Sequence, residues 1–334
     1  IGLRGSLFQQ VGPYKTAVFN NDGIPADSVF YENGEPIVTY GGIEPRINLR
    51  YTLSPSKSLK GGVAVANQYI HLVSNSTALL PTDLWVPSTK MVKPQRGIQY
   101  SLGYFQNFKE NTYEASVEVY YKSLKNQIEF SEDYYPELNA LLENSFVFGQ
   151  GRAYGVEFFL QKQRGKFTGW IGYTLSRTER SFPDINLGRT FPARYDRTHD
   201  LSVVAIYDVS QRWNLGATFV YNTGQAITLP NSFFMMEGWI YTEFDMPRNS
   251  YRMKPYHRLD FSATYRLNKK SDAKFKSDLN FSVYNVYSRL NPFFLYAVPE
   301  VSEGSAGTAG SIDIKLKQVS LFPIIPSITW NFKL

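Results

Sequence analysis

Apolar and polar side chains alternate along nearly the whole chain, in segments of about ten residues that each end in a break. Successive side chains of a β-strand point to opposite faces, so this period predicts strands with one apolar and one polar face. In segment 113–122 the predicted lipid-facing set is Tyr113, Ala115, Val117, Val119 and Tyr121, and the opposite, lumen-facing set is Glu114, Ser116, Glu118, Tyr120 and Lys122. A soluble sheet also alternates. The length of the segments and the aromatic residues near their ends favour strands that cross a membrane.

The breaks between the segments alternate strictly between long and short. The predicted tight turns are Ser54–Ser58, Lys109–Asn111, Arg164–Lys166, Ser210–Arg212 and Asn268–Lys274. The predicted long loops are Pro13–Pro36, Val73–Arg96, Glu132–Gln150, Ser181–Arg197, Leu229–Tyr256 and Arg289–Ser311. Barrels of Gram-negative outer membranes have short periplasmic turns and long extracellular loops. The sequence therefore predicts an all-β, transmembrane antiparallel up-and-down β-barrel with about twelve visible strands, in the cell outer membrane, with both visible chain ends periplasmic.

The composition agrees with a barrel and argues against a helical membrane protein, a disulfide-linked protein and a nucleic-acid-binding protein. The chain has 334 residues and a mean hydropathy of −0.30, and it contains no run of about 20 apolar residues such as a transmembrane helix needs. Cysteine is absent, so this chain forms no disulfide and no thiolate metal site. The net charge of +6 fits a lumen and loops of mixed charge, and no run of five Lys or Arg indicates a nucleic-acid partner.

We predict no catalytic residue, no metal site and no cofactor. The three histidines, His71, His199 and His257, are far apart in the sequence, and no Walker, H-E-x-x-H or G-x-S-x-G motif occurs. Ile1 is not an initiator Met, so an upstream part of the protein is expected. A hydrolase whose Ser, His and acidic residue come from distant strands is the enzyme alternative.

The long loops carry the candidate ligand-binding residues. Loop Leu229–Tyr256 contains the aromatic candidates Phe233, Phe234, Trp239 and Tyr241. These side chains, and Trp85 in loop Val73–Arg96, either stack on a sugar ring or an aromatic chelator, or pack against neighbouring loops. Arg194 and Arg197 belong to a charged stretch that also holds Arg189, Asp196 and Asp200. The simpler interpretation of this charged stretch is a network of ion pairs in the lumen. The more specific interpretation is a site that binds a carboxylate or phosphate group of a ligand.

Several short motifs resemble those of TonB-dependent receptors, with a character typical of Bacteroidetes members. They are EPRINLRY at 44–51, LPTDLWVP at 80–87 followed by KPQ at 93–95, VYYK at 119–122, RAYGVE at 152–157, FPARYDRTHD at 191–200 and YNVYSR at 284–289. Their order is similar to that of the C-terminal part of such receptors. The resemblance covers most of the chain.

The resemblance implies that residues 1–334 are the C-terminal part of a larger barrel of about 22 strands. The N-terminal plug, the first strands and the TonB-coupling segment would be absent from this chain. The implied function is import of a scarce nutrient, namely a siderophore, haem, cobalamin, glycan or peptide. The implied partners are outer-membrane lipid and lipopolysaccharide, the plug and remaining strands, TonB through the missing N-terminal part, and a surface lipoprotein, with no nucleic acid.

Two alternatives remain at the level of sequence. The chain is either a barrel scaffold subunit of a larger outer-membrane complex or a small self-closed 12-stranded porin-like barrel. An open sheet leaves unpaired N–H and C=O groups at two edges, which lipid does not tolerate. Pairing between the first and last strands would therefore distinguish the self-closed barrel from a partial one.

Overall fold

The computed structural model describes residues 1–19, 25–73, 84–132, 142–229, 232–236, 239–243, 247–268, 275–302 and 311–333. In chain order the strands are β1 Gly2–Val11, β2 Tyr14–Phe19, β3 Pro25–Tyr31, β4 Pro36–Ser54, β5 Lys57–Gln68, β6 Ile70–Val73, β7 Leu84–Pro87, β8 Gln95–Phe108, β9 Tyr113–Phe130, β10 Phe146–Lys162, β11 Phe167–Ser181, β12 Phe191–Pro192, β13 His199–Asp208, β14 Trp213–Asn222, β15 Ala226–Ile227, β16 Ser232–Met236, β17 Trp239–Glu243, β18 Tyr251–Arg252, β19 Tyr256–Arg266, β20 Lys276–Tyr284, β21 Pro292–Ser302, β22 Ser311–Ser320 and β23 Ile325–Lys333. Two short 3-10 helices span Leu142–Ser145 and Asn186–Gly188. Within the described ranges, no helix has the length and apolar character needed to cross a membrane.

Twelve of the described strands form one antiparallel meander. Its order is β1-β4-β5-β8-β9-β10-β11-β13-β14-β19-β20-β23, and β12 pairs with β11 outside this order. Each strand of the meander pairs with the strand that precedes or follows it in this order, as in an up-and-down barrel. This confirms the predicted all-β antiparallel fold with about twelve strands.

The two ends of the meander differ in the length of their connections. At the turn end, neighbouring strands are joined by residues 55–56, 109–112, 163–166 and 209–212. At the loop end, the connections range in length from the shortest, 131–145, to the longest, 285–324, and several contain hairpins, such as β2–β3 and β6–β7. The predicted alternation of turns and loops is confirmed at these positions. The fifth predicted turn, Asn268–Lys274, lies mostly outside the described residues.

Four predicted loops have wrong boundaries. Loops Val73–Arg96 and Leu229–Tyr256 begin earlier, after Gln68 and Asn222, because residues 70–73 and 226–227 form β6 and β15, which pair within the loop end. The strand after loop Glu132–Gln150 begins earlier, at Phe146, because it continues the ladder with β9 beyond a bulge. The last loop was predicted as Arg289–Ser311, but the connection spans 285–324 and contains the β21–β22 hairpin. Phe322 has a φ of 53° and Pro323 has no N–H to donate, so the last strand of the meander starts only at Ile325.

The two faces of the meander differ in polarity, as the alternation predicts. On β9 the side chains of Val117, Val119 and Tyr121 are 41%, 44% and 45% exposed. Register partners on adjacent strands continue this surface, among them Tyr100, Leu102 and Phe158. We call it the apolar face, and we call the opposite surface, which carries Glu118 and Lys122, the polar face.

β1 and β23 form the two edges of the sheet. β1 pairs with β4 and β23 pairs with β20, and among the described strand pairings none joins β1 to β23. Leu3, Leu7 and Ile328 on these edges are 75%, 79% and 72% exposed. The described meander is therefore open, which argues against a small self-closed barrel.

The buried apolar core lies mainly at the loop end. One cluster consists of Val73, Val86, Val92, Ile128, Phe130 and Phe146, and a second consists of Phe182, Ile185 and Phe191. These residues come from loop-end connections and from the strand ends next to them. Buried apolar contacts therefore order the loop end on top of the sheet.

Candidate ligand-binding site

A pocket of about 320 Å³ lies where β13, β14 and β19 meet the loop end. Its polar lining consists of Tyr195, Arg197, Asn222, Gln225, Lys254 and Tyr256, and its apolar lining includes Met253, Pro292 and Phe293. Asn222 is opposite Asp200 on β13 and opposite Tyr256 on β19 in the ladders. Directly opposed residues share one face of a sheet, so the pocket opens on the polar face.

Hydrogen bonds position the side chains of this pocket. Nη1 of Arg197 donates to the carbonyl oxygen of Thr223 at 2.9 Å. Nη1 of Arg258, on the polar face below the pocket, donates to the phenol oxygen of Tyr256 at 2.9 Å. Nε of Arg258 donates to Oδ2 of Asp260 at 2.9 Å. The side chains of Arg197 and Tyr256 are thus held in place by hydrogen bonds to residues that lie outside the pocket.

A buried ion pair joins the segments on either side of the pocket. The Asp196 side chain is fully buried, and its carboxylate is paired with the guanidinium of Arg252. Nη1 of Arg252 also donates to the carbonyl oxygens of Asp196 at 2.7 Å and Gly224 at 3.2 Å. A Cβ at Gly224 would lie 1.7 Å from the carbonyl oxygen of Met253, so only glycine fits at this crossing.

The electrostatics of the pocket favour an anion. Its lining carries the cations Arg197 and Lys254, and the described lining residues include no carboxylate. Asp196 pairs with Arg252, whereas the Asp200 carboxylate accepts a hydrogen bond from Nδ2 of the neutral Asn222 at 2.6 Å and also attracts the guanidinium of Arg197. The cations Arg197, Lys254 and Arg252 still outnumber the carboxylates of Asp196 and Asp200. A guanidinium beside phenol groups suits a carboxylate, phosphate or phenolate on an aromatic or apolar body.

A second arrangement, the three-loop junction, is centred on Glu143. Its buried carboxylate accepts hydrogen bonds from Thr16 Oγ1 at 2.5 Å and from Thr89 Oγ1. The phenol of Tyr14 is also hydrogen-bonded to it, and burial together with this carboxylate raises the pKa of Tyr14 to about 12. Three connections of the loop end therefore meet at one side chain, since these residues belong to 12–35, 69–94 and 131–145.

Replacing Glu143 with Gln is expected to loosen the three-loop junction. The amide nitrogen cannot accept a hydrogen bond from a threonine hydroxyl, so we expect a loss of about 1.5–3 kcal/mol, the range for one hydrogen bond to a charged group. The measurement is the rate of limited proteolysis at the loop end of the full receptor. Glu32→Gln, at an exposed carboxylate in the same connection as Tyr14, is the matched control. Equal cleavage rates for both variants would contradict this role of Glu143.

The predicted ligand-binding residues differ in their position relative to the pocket. Arg197 lines the pocket, and Arg194 lies next to it with its guanidinium 5.5 Å from the ring centre of Tyr195. Trp85 lies on the β6–β7 hairpin opposite Leu72, is 64% exposed and does not line the pocket. The other four candidates lie in the β16–β17 hairpin, and their side chains lie outside the described part of the structure: Phe233, Phe234, Trp239 and Tyr241.

The predicted ion-pair network extends beyond the charged stretch 189–200. Asp196 forms an ion pair with Arg252, which lies outside this stretch. Arg189 is exposed, and Arg197 donates to a backbone carbonyl and is attracted by the carboxylates of Asp196 and Asp200. The partner of Asp196 comes from the short strand β18, which pairs with β15 and thereby brings Arg252 close to the carboxylate.

Sequence reasoning missed five polar lining residues of the pocket. They are Tyr195, Asn222, Gln225, Lys254 and Tyr256. Alternation along the strands could have placed Asn222 on the polar face of β14 and Tyr256 on the face of β19 that carries Arg258 and Asp260. Tyr195, Gln225 and Lys254 depend on how the loop-end connections fold, which periodicity does not predict.

Comparison with known proteins identifies the family. The TonB dependent receptor-like beta-barrel family matches residues 6–286 of the chain. The chain belongs to this family. Its members are outer-membrane receptors and transporters, in agreement with the prediction of a transmembrane barrel.

Solved structures of such receptors share this fold. The ferripyoverdine receptor of Pseudomonas aeruginosa matches with a TM-score of 0.53 and 12% identity over 92% of this chain and 33% of its own. The ferric-catecholate import receptor Fiu of E. coli K12 matches with 0.51 and 14% over 87% and 39%, and the ferric citrate transporter FecA with 0.52 and 12% over 88% and 38%. The chain thus spans a third to two fifths of the length of these receptors. No curated protein sequence matches.

Proposed function

We propose that the chain is the C-terminal part of the barrel of a TonB-dependent transporter that imports a scarce nutrient. Two observations support this: the sheet is open at β1 and β23, and the chain covers only 33–39% of the three receptors described above. About ten further strands would close the two edges, given the roughly 22 strands of such barrels, and an N-terminal plug would fill the lumen. TonB would act through that N-terminal part, and a surface lipoprotein stays a predicted partner.

The proposed orientation puts the loop end outside the cell and the turn end in the periplasm. In outer-membrane barrels the long loops are extracellular and the short turns are periplasmic. An even number of strands then places the start of β1 and the end of β23 on the periplasmic side. The pocket around Arg197 would open toward the medium, where a nutrient first meets the receptor.

The nutrient is proposed to be anionic, for which the pocket is the supporting observation. Its cations Arg197 and Lys254 lie beside the phenols of Tyr195 and Tyr256. A carboxylate or catecholate chelate offers the oxygens and the ring that these groups bind. Among the classes of nutrient that the family resemblance implies, this favours a siderophore over a neutral glycan.

The experiment is nutrient uptake by the full receptor in its own host. Arg197→Ala with Lys254→Ala is expected to weaken binding of an anionic ferric chelate by about ten-fold or more, since each bond to a charged group contributes roughly 1.5–3 kcal/mol. Arg266→Ala, on the same strand face as Tyr256 but at the turn end, is the control. Uptake should stop when the proton-motive force is collapsed. Uptake that persists without it would contradict TonB-dependent transport, and unchanged binding in the double variant would contradict the pocket.

A further inference from the structure

The apolar face carries a row of tyrosines near the loop end of β8, β9 and β10. Tyr100 is directly opposite Tyr121, which is directly opposite Tyr154. Their side chains are 48%, 45% and 39% exposed. Below this row, toward the turn end, the exposed side chains of the same face are apolar, for example Leu102 and Val119. A row of tyrosines at the end of an apolar band marks the boundary between hydrocarbon and headgroups.

An ion-pair cluster lies next to this tyrosine row. Arg177 is directly opposite Tyr154, and Arg152 and Glu179 are directly opposite each other in the next row of the face toward the loop end. The Glu179 carboxylate lies 2.7 Å from Nη2 of Arg152 and 2.8 Å from Nε of Arg177. Both arginine side chains remain about half exposed, so two guanidinium groups share one carboxylate and retain free surface.

Two further cations follow in the next row. Arg96 and Lys125 are directly opposite each other across β8 and β9, and both are exposed. Like charges at opposed positions of a ladder repel and destabilise the pairing. Lys125 also lines a cavity of about 510 Å³, together with Asn126, Gln150, Ser181 and Gly188. A pair of opposed cations beside a polar cavity is stabilised by an anion bound between them.

The height of these residues fits the headgroup layer. Rows of one face are two residues apart, which is about 7 Å along a strand. Arg177 lies at the height of the tyrosines, Arg152 lies roughly 7 Å beyond them, and Arg96 and Lys125 lie roughly 14 Å beyond them, before strand tilt is considered. The headgroup layer is several ångströms thick on each side of the hydrocarbon. In these rows of β8 to β11 there are four cations, Arg96, Lys125, Arg152 and Arg177, and one carboxylate, that of Glu179.

We propose that this surface, defined by Arg96, Lys125, Arg152 and Arg177, binds the phosphorylated headgroup of lipopolysaccharide. The proposal rests on the orientation given above, in which the loop end lies in the outer leaflet. The charge of the phosphates complements the four cations, and guanidinium groups bind phosphate oxygens in a bidentate manner. The acyl chains would lie along the apolar band below the tyrosines.

The test is the amount of lipopolysaccharide that stays bound to the full receptor purified from outer membranes, measured by mass spectrometry. The combined variant Arg96→Gln with Lys125→Gln is expected to retain at least ten-fold less than wild type. Lys125→Gln alone leaves the opposed cation Arg96 in place and should give a smaller loss. Lys162→Gln removes a cation of the same face at the turn end and should have no effect. Heat-dependent migration on a gel confirms that each variant is folded.

Competition separates the sources of phosphate. Dephosphorylated lipopolysaccharide should fail to displace the bound lipid, and inorganic phosphate and phosphatidylglycerol vesicles should compete weakly. Equal retention by wild type and both variants, or equal competition by phosphatidylglycerol, would overturn the proposal. Nutrient uptake measured in parallel distinguishes this result from the proposed function. A variant that loses bound lipopolysaccharide but takes up nutrient normally supports the lipid site. Uptake that does not depend on the proton-motive force contradicts the proposed transport function and leaves the proposed lipid site unaffected.

Discussion

Asp196→Ala is expected to destabilise the loop end by about 2–4 kcal/mol, because it removes a buried carboxylate that accepts hydrogen bonds from a charged guanidinium and from a backbone N–H. The substitution leaves the guanidinium of Arg252 without its carboxylate. It also removes the acceptor of the Thr178 N–H, which lies 2.5 Å from Oδ1 of Asp196. Because Arg252 contacts the carbonyl of Gly224 beside the pocket, ligand affinity should fall together with stability.

The effect of Asp196→Ala is measured as the denaturant-unfolding free energy of the full receptor in detergent. Arg164→Ala is the control, since Arg164 is exposed in the turn 163–166, at the opposite end of the sheet. A surface substitution of this kind changes the unfolding free energy by about 0.5 kcal/mol or less. A loss below about 1 kcal/mol for Asp196→Ala would mean that water reaches the ion pair and that it does not hold the pocket together.

The sheet could be predicted because its signals are local. Alternation with a period of two and the length of each break are properties of short segments, so β9 and the turns at 109–112 and 163–166 were correctly identified. The same property explains the error at β22. Residues 311–320 alternate like a strand of the meander, but alternation does not specify the partner strand, which is β21.

The candidate site was only partly predictable because its contacts are remote in sequence. Arg197 was identified from its own charged stretch, whereas Lys254 and Arg252 reach the site through loop 223–255. Glu143 bonds to Thr16, which is 127 positions away, and no local pattern marks either residue. Loop-end packing selects these partners, and the sequence alone carries no periodic signal for it.

Val117→Arg is expected to cost about 2–4 kcal/mol, because Val117 lies halfway between Tyr113 at the turn end and the tyrosine row at Tyr121, near the membrane midplane. The measurement is the unfolding free energy of the full receptor in a phospholipid bilayer. The lumen-facing neighbour Ser116 is only 7% exposed, so a long side chain would clash there and Ser116→Arg is not a suitable control. Glu118→Lys is the better control, since Glu118 is only partly buried on the polar face. We expect Val117→Arg to lower the unfolding free energy far more than Glu118→Lys does. Equal losses for the two variants would show that the apolar face does not contact lipid.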